Sequence, residues 1–147
     1  MTLFPKEKNH IPQWFIIDAD GLTLGRLASK ISLLLRGKIN SFFTPGIDQG
    51  NFVIVINSSK IIYTNKKSNQ KLYYRNSQRP GSLKKESLKD LINKNSAFIL
   101  ERAVWGMLPK GILGRIFYSR WYIYPTKNIK IINTKLNNIR FIKVYSI

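Results

Sequence analysis

The six residues FVIVIN, Phe52 to Asn57, constrain the fold of this chain more than any other stretch. A strand on a half-exposed sheet alternates apolar and polar residues. This run is apolar at five consecutive positions, so both of its faces need cover. It predicts an interior strand of a parallel sheet, which requires a crossover connection. The residues before it supply one. WFIID, Trp14 to Asp18, reads as a buried strand, and ADG then makes a turn. From Leu24 to Arg36 the apolar residues Leu24, Leu27, Ala28, Ile31, Leu34 and Leu35 fall at helical spacing and give one broad apolar face. Thr23 is the expected N-cap and Gly37 the expected stop. Strand, amphipathic helix and buried strand in that order predict a right-handed βαβ unit.

Beyond it, KIIYTNKK predicts another short strand running into a basic turn. The segment KKSNQKLYYRNSQRPGSLKK is polar, basic and aromatic with a Pro-Gly break, which suits an exposed arm or ribbon. ESLKDLIN and SAFILERAV restore helical periodicity, with Ser96 as a cap. In AVWGMLPKGILGR, Gly106 is expected to stop one helix and Pro109 to open the next, with Met107 and Leu108 packed inward. The expected organisation is an N-terminal extension over 1–13, an α/β domain over 14–124 and a basic tail over 125–147. The arm occupies about 64–85 of that domain.

Charge decides the class of partner. Twenty-five Lys and Arg face seven Asp and Glu, a net charge of +18. Self-repulsion of that size weakens a compact fold, so it points to a polyanion, with nucleic acid first and an anionic membrane surface second. No apolar run reaches the roughly 20 residues of a membrane span. The chain has no cysteine, which excludes disulfides, zinc ribbons and thiol catalysis. The single histidine, His10, reads as a surface residue.

Catalysis needs positioned acids, bases or nucleophiles. Asp18 and Asp20 flank a turn and read as turn and cap residues. Glu86 and Asp90 read as a solvated pair on a helix. GMLPKGILGR lacks the spacing of a phosphate-binding loop and follows a helix. DGLTLGR follows a strand and opens a helix, a setting that suits an anion, but it lacks the dinucleotide-binding glycines. The chain is therefore expected not to be an enzyme and to need neither metal nor cofactor. RNA fits better: cations neutralise phosphates, and Tyr73 or Tyr74, between Lys71 and Arg75, offers a ring for an unpaired base. Strand alternation places one of the two tyrosines inward.

Four ordered blocks carry a more specific signal. WFIIDADGLTLGRLASKI with LRGK, then TPGIDQGNFVIVIN, QKLYYRNSQRPGSLK and AVWGMLPKGILGR resemble the bacterial-type large-subunit ribosomal protein L-thirteen family over Trp14 to Tyr124. The resemblance implies an α/β fold, three layers α/β/α around a small, mainly parallel sheet, with a basic arm and tail. It also implies binding to large-subunit ribosomal RNA beside neighbouring ribosomal proteins, an early role in subunit assembly, and no small-molecule substrate. A basic RNA-binding regulator acting outside the ribosome is the alternative.

Carried over by position, the implied RNA contacts fall in three groups. Arg36, Lys38 and Thr44 lie around the first loop. Lys66, Lys67, Lys71, Tyr73, Arg75, Arg79 and Lys84 form the arm. Lys110, Arg115 and Arg120 belong to the signature region. Lys110→Glu is expected to weaken RNA binding and leave the fold intact, and Gly106→Val to damage the fold. The family usually has Gly at position 65 and Asp at position 51, where this chain has Asn65 and Asn51. It commonly has His and Gly where Asn76 and Gln78 stand, and the tail differs throughout. Heavy use of Ile, Asn and Lys suggests an AT-rich genome, and the arm resembles the cyanobacterial and plastid branch. A plastid ribosome is thus favoured over a mitochondrial one or a bacterial cytoplasm. MTLFPKEKNH lacks a signal-peptide core and makes a poor transit peptide, which suggests encoding within the organelle.

Overall fold

The two apolar runs become adjacent parallel strands, β1 (Trp14–Asp18) and β2 (Phe52–Ile56), in register from Trp14 opposite Phe52 to Asp18 opposite Ile56. The computed structural model describes residues 11–127 and the backbone of 139–141. The crossover between the strands contains helix α1 (Leu24–Leu35), as the apolar spacing predicts. Two further parallel strands complete the sheet, β5 (Trp121–Ile123) beside β2 and β6 (Ile139–Phe141) beside β1, in the order β5-β2-β1-β6. This is the expected α/β class with a small parallel sheet.

Alternation along the strands sorts the core. Phe15, Ile17, Val53 and Val55 pack against α1, α4 (Ser96–Met107) and α5 (Ile112–Tyr118) in one continuous cluster. Ile16, Ile54 and Ile56 point the other way, beside Trp14 and Tyr124. Among the described residues no helix joins that second cluster, so the helical layer seen here lies on one face. Short α3 (Leu88–Lys94) adds a satellite of Leu88, Leu91 and Ile99 against Leu24, Tyr63 and Tyr73.

Several local expectations change. Residues 60–67 form no extended strand. A 3-10 turn over Ser58–Lys60 leads to a single parallel bridge between Ile62 and Thr23. Ile62 N–H donates to Leu22 O at 2.9 Å and Leu24 N–H to Ile62 O at 3.3 Å. That backbone bridge holds the start of α1, and the Thr23 hydroxyl makes no cap bond. Asn95, not Ser96, caps α4: its side chain accepts from Ala97 and Phe98 N–H. Glu86 lies in strand β4 (Lys84–Ser87) and Asp90 in the first turn of α3. They do not share a helix face. Asp90 instead exchanges hydrogen bonds with the N-cap Ser87.

The AVWGMLPKGILGR corner is also redistributed. Helix α4 runs through Gly106 and ends at Met107, with Leu108 as C-cap. A Cβ on Gly106 would meet open space, so the expectation that this glycine is structurally critical is overturned. Leu108 is buried as expected, but Met107 is exposed. Gly111, not Pro109, stands at the N-cap of α5. The glycine that matters is Gly114, buried in α5, where a Cβ would run into the Pro109 carbonyl. Gly37 does stop α1, with φ +73 and its Cβ position filled by the backbone of Gln49.

Candidate nucleic-acid interface

The arm is a two-stranded antiparallel ribbon, β3 (Leu72–Arg75) against β4, introduced by the single helical turn α2 (Lys67–Gln70). Its register fixes what each face offers. Tyr73 lies opposite Glu86 and Arg75 opposite Lys84 on one face, while Tyr74 lies opposite Lys85 on the other. Tyr73 is the tyrosine that turns inward, against Leu88, Leu91 and Ile99. Tyr74 stays 57% exposed beside Lys85. Burial raises the pKa of the Tyr73 phenol. Burial first, and then the neighbouring Tyr73, push the Tyr63 phenol up to about 12.

The Arg75–Lys84 rung places two cations directly opposite each other, which destabilises a bare ribbon. The nearest acid in sequence, Glu86, is taken by Lys94 at 3.0 Å. Asp20 pairs with Lys60 and Asp48 with Arg120. Among the described residues, Lys66, Lys67, Lys71, Arg75, Arg79, Lys84 and Lys85 therefore have no carboxylate partner. Lys71 Nζ stands 5.3 Å from the Tyr73 ring centre, and Lys67 Nζ donates to Thr64 Oγ1 at 3.2 Å. Lys66 is the exposed N-cap of α2. At the tip, Asn76 Oδ1 accepts from Gln78 N–H and from Ser82 Oγ, and Arg79 O accepts from Ser82 N–H. These bonds set the turn and leave the Arg79 side chain exposed.

The first-loop group sits at the other end of α1. That helix is 12 residues long, which spans about 18 Å. Arg36 is its C-cap, with the guanidinium 5.9 Å from the Phe43 ring centre. Buried Gln49 organises the loop: its Nε2 donates to Phe42 O and its Oε1 accepts from Thr44 N–H. Thr44 is half-buried and its hydroxyl donates to Phe42 O, so of this group Lys38 presents the most accessible side chain. Phe42 of the same loop, 78% exposed, was not singled out by the sequence.

The signature group splits. Arg115 is exposed on α5. Lys110 Nζ donates to Trp105 O at 3.0 Å and stands 5.2 Å from the Trp105 ring centre, a cation held at the carboxyl end of α4. Arg120 is committed to the fold. Its guanidinium pairs with both Asp48 oxygens and donates to Gly50 O. Its proposed RNA contact is accordingly dropped. The sequence left Tyr73 and Tyr74 as alternatives, and the ribbon register turns Tyr73 inward and leaves Tyr74 exposed. Lys85 and Tyr63 were not singled out, and Tyr63 is brought in only by tertiary packing.

The acids hold structure. Asp18 Oδ1 accepts from Asn57 Nδ2 at 2.8 Å and from Asp20 N–H at 3.0 Å. Partial burial raises the Asp18 pKa, but the Asn57 and Asp20 hydrogen bonds, with Lys127 and Lys60 nearby, outweigh it and leave the carboxyl below its ordinary 3.8. Among the described residues no three His, Cys, Asp or Glu side chains gather in a metal-binding group.

Fold and site together define a small α/β protein with a basic ribbon whose cations have no carboxylate partner among the described residues. Comparison with known proteins makes this specific. The Ribosomal protein L13 family matches residues 12–130. The large ribosomal subunit protein uL13 of Agathobacter rectalis is 43% identical over 129 residues, 88% of this chain and 91% of that protein. The uL13 of Gloeothece citriformis is 47% identical over 127 residues, 86% of this chain and 84% of that one. The uL13c of Spinacia oleracea is 45% identical over 126 residues, 84% of this chain but half of the spinach protein. The chain belongs to the ribosomal protein L13 family, a family of ribosomal proteins and not of enzymes.

Proposed function

We propose that this chain is a structural constituent of the large ribosomal subunit. In this reading it binds large-subunit ribosomal RNA through the β3–β4 ribbon and helps early subunit assembly. The observation that carries this reading is the Arg75–Lys84 rung, set in a ribbon whose cations have no carboxylate partner among the described residues. Phosphates placed along the ribbon remove the repulsion within that rung and release counterions. The length of α1, about 18 Å, separates the loop that carries Lys38 from the ribbon end of that helix, which supports contact with RNA on more than one side. Adjoining large-subunit proteins complete the setting. The relatives named above include cyanobacterial and plant proteins, and with the Ile, Asn and Lys bias they support a plastid ribosome.

Sedimentation of tagged protein through a high-salt gradient tests the role. The expected result is co-migration with the large subunit. Release of the protein to the top of the gradient, with messenger RNA recovered from it, would instead establish a regulator outside the ribosome.

A further inference from the structure

DGLTLGR has no part in the function derived so far, although it opens α1 in a setting suited to an anion. The structure brings its Thr23, Leu24, Gly25 and Arg26 to one wall of a groove of about 870 Å³. That size lies within the roughly 300–1,000 Å³ of small-molecule clefts. The base of the arm lines it as well, with Lys67, Lys71 and Tyr73. Tyr63 also lines it, and Leu88, Ala103 and Met107 supply apolar lining.

We infer that this groove takes one unpaired nucleotide of an RNA strand, its base against Tyr63 and Tyr73 and its phosphate toward Lys67 and Lys71. The inference rests on the RNA-binding reading above and adds to it a discrimination between single strand and duplex. Three features select the occupant. Among the described residues no Asp or Glu lines the groove and its lysines have no carboxylate partner, which suits an anionic ligand. A site for phosphate alone needs only donors, whereas this groove adds leucine, alanine and methionine to its lysines and threonines, a lining that suits a flat apolar ring as well as a phosphate. Lys71 Nζ already stands 5.3 Å from the Tyr73 ring, the arrangement in which a cation and a stacking platform serve adjacent parts of one nucleotide. A base paired within a duplex cannot reach such a groove, because its faces are covered by its neighbours.

The test compares the full chain and Tyr63→Leu for binding to a short single-stranded oligoadenylate and to a duplex RNA of equal length. The quantity read is the ratio of the two affinities, which is insensitive to any loss of folded protein. Tyr63→Leu is expected to lower the single-strand to duplex ratio about tenfold, and Tyr63→Phe, which keeps the ring, to restore it. An unaltered ratio in Tyr63→Leu overturns the groove assignment and leaves RNA binding through the ribbon standing. Adenosine monophosphate binding as tightly as the oligoadenylate also overturns it, in favour of a free nucleotide site. Failure of the wild-type chain to bind either RNA overturns the RNA reading itself.

Discussion

Arg120 grips Asp48 with both terminal nitrogens of its guanidinium, joining residues 72 positions apart in the chain. The pair ties the loop before β2 to the start of β5 and covers Gly50, whose carbonyl takes a further bond from Arg120. The side chains are 20% and 23% exposed, so solvent screens them only in part. Arg120→Ala is expected to cost about 2 kcal/mol, below the value for a fully buried pair because of that exposure. Asp48→Ala should cost a similar amount, and the double variant less than the sum of the two. Urea unfolding of the four proteins measures this. Additive losses would mean that the pair contributes nothing as a pair.

Asn51 accounts for one departure from the family pattern. It is buried, its Nδ2 donates to Leu34 O at 3.2 Å, and its Oδ1 accepts from Gln13 N–H at 3.1 Å. A carboxylate at this position can accept from Gln13 but cannot donate to Leu34, and it would place charge against a carbonyl. Asn51→Asp is expected to lose about 2 kcal/mol at neutral pH. Unchanged unfolding in urea would show that the Leu34 bond has no energetic weight.

Two of the three glycines of the signature corner, Gly106 and Gly114, have opposite predictions. Gly114→Ala forces a methyl group into the Pro109 carbonyl and is expected to cost about 3 kcal/mol. Gly106→Ala adds a methyl group in open space on a helix and should gain up to about 1 kcal/mol. Thermal unfolding of both variants decides it; a fall in Tm for Gly106→Ala would restore a structural role to that glycine.

Asp18 sets a pH dependence. Its carboxyl titrates lower in the folded protein than in the unfolded chain, so the unfolded chain binds the proton first as pH falls. The stabilisation is complete above the ordinary value of 3.8 and is lost as the pH drops through the folded value. Asp18→Asn is expected to flatten the acid limb of stability below about pH 4. Urea midpoints at neutral and acid pH measure this, and parallel acid losses in both proteins would contradict it.

The βαβ unit was legible because β2 is apolar at every position and α1 holds its periodicity for a dozen residues. The arm was legible from composition. What escaped depends on contacts distant in sequence. Ile61 and Ile62 look like a strand, but the chain bends there to meet Leu22 and Leu24, leaving one bridge. Arg120 reads like the other cations until Asp48 is brought to it, and nothing local to Tyr63 announces a groove. Local signals competed at the caps as well: Asn95 and Ser96 are both good capping residues, and the backbone chose Asn95. Two family departures acquire a physical setting. Asn65 and Gln78 both occupy left-handed backbone, at φ 58 and 66, a conformation glycine adopts without strain.

The central claim is that the ribbon's unpaired cations bind RNA phosphates. The most direct measurement is affinity for large-subunit ribosomal RNA across a range of salt concentrations, for the wild-type chain and Arg75→Gln/Lys84→Gln. The wild type should lose affinity steeply, each phosphate contact contributing about −0.7 to −0.9 to the log-log slope. Removal of both cations should reduce that slope by about 1.5 while unfolding changes little. A shallow wild-type slope, or the same slope in the double variant, would contradict the claim.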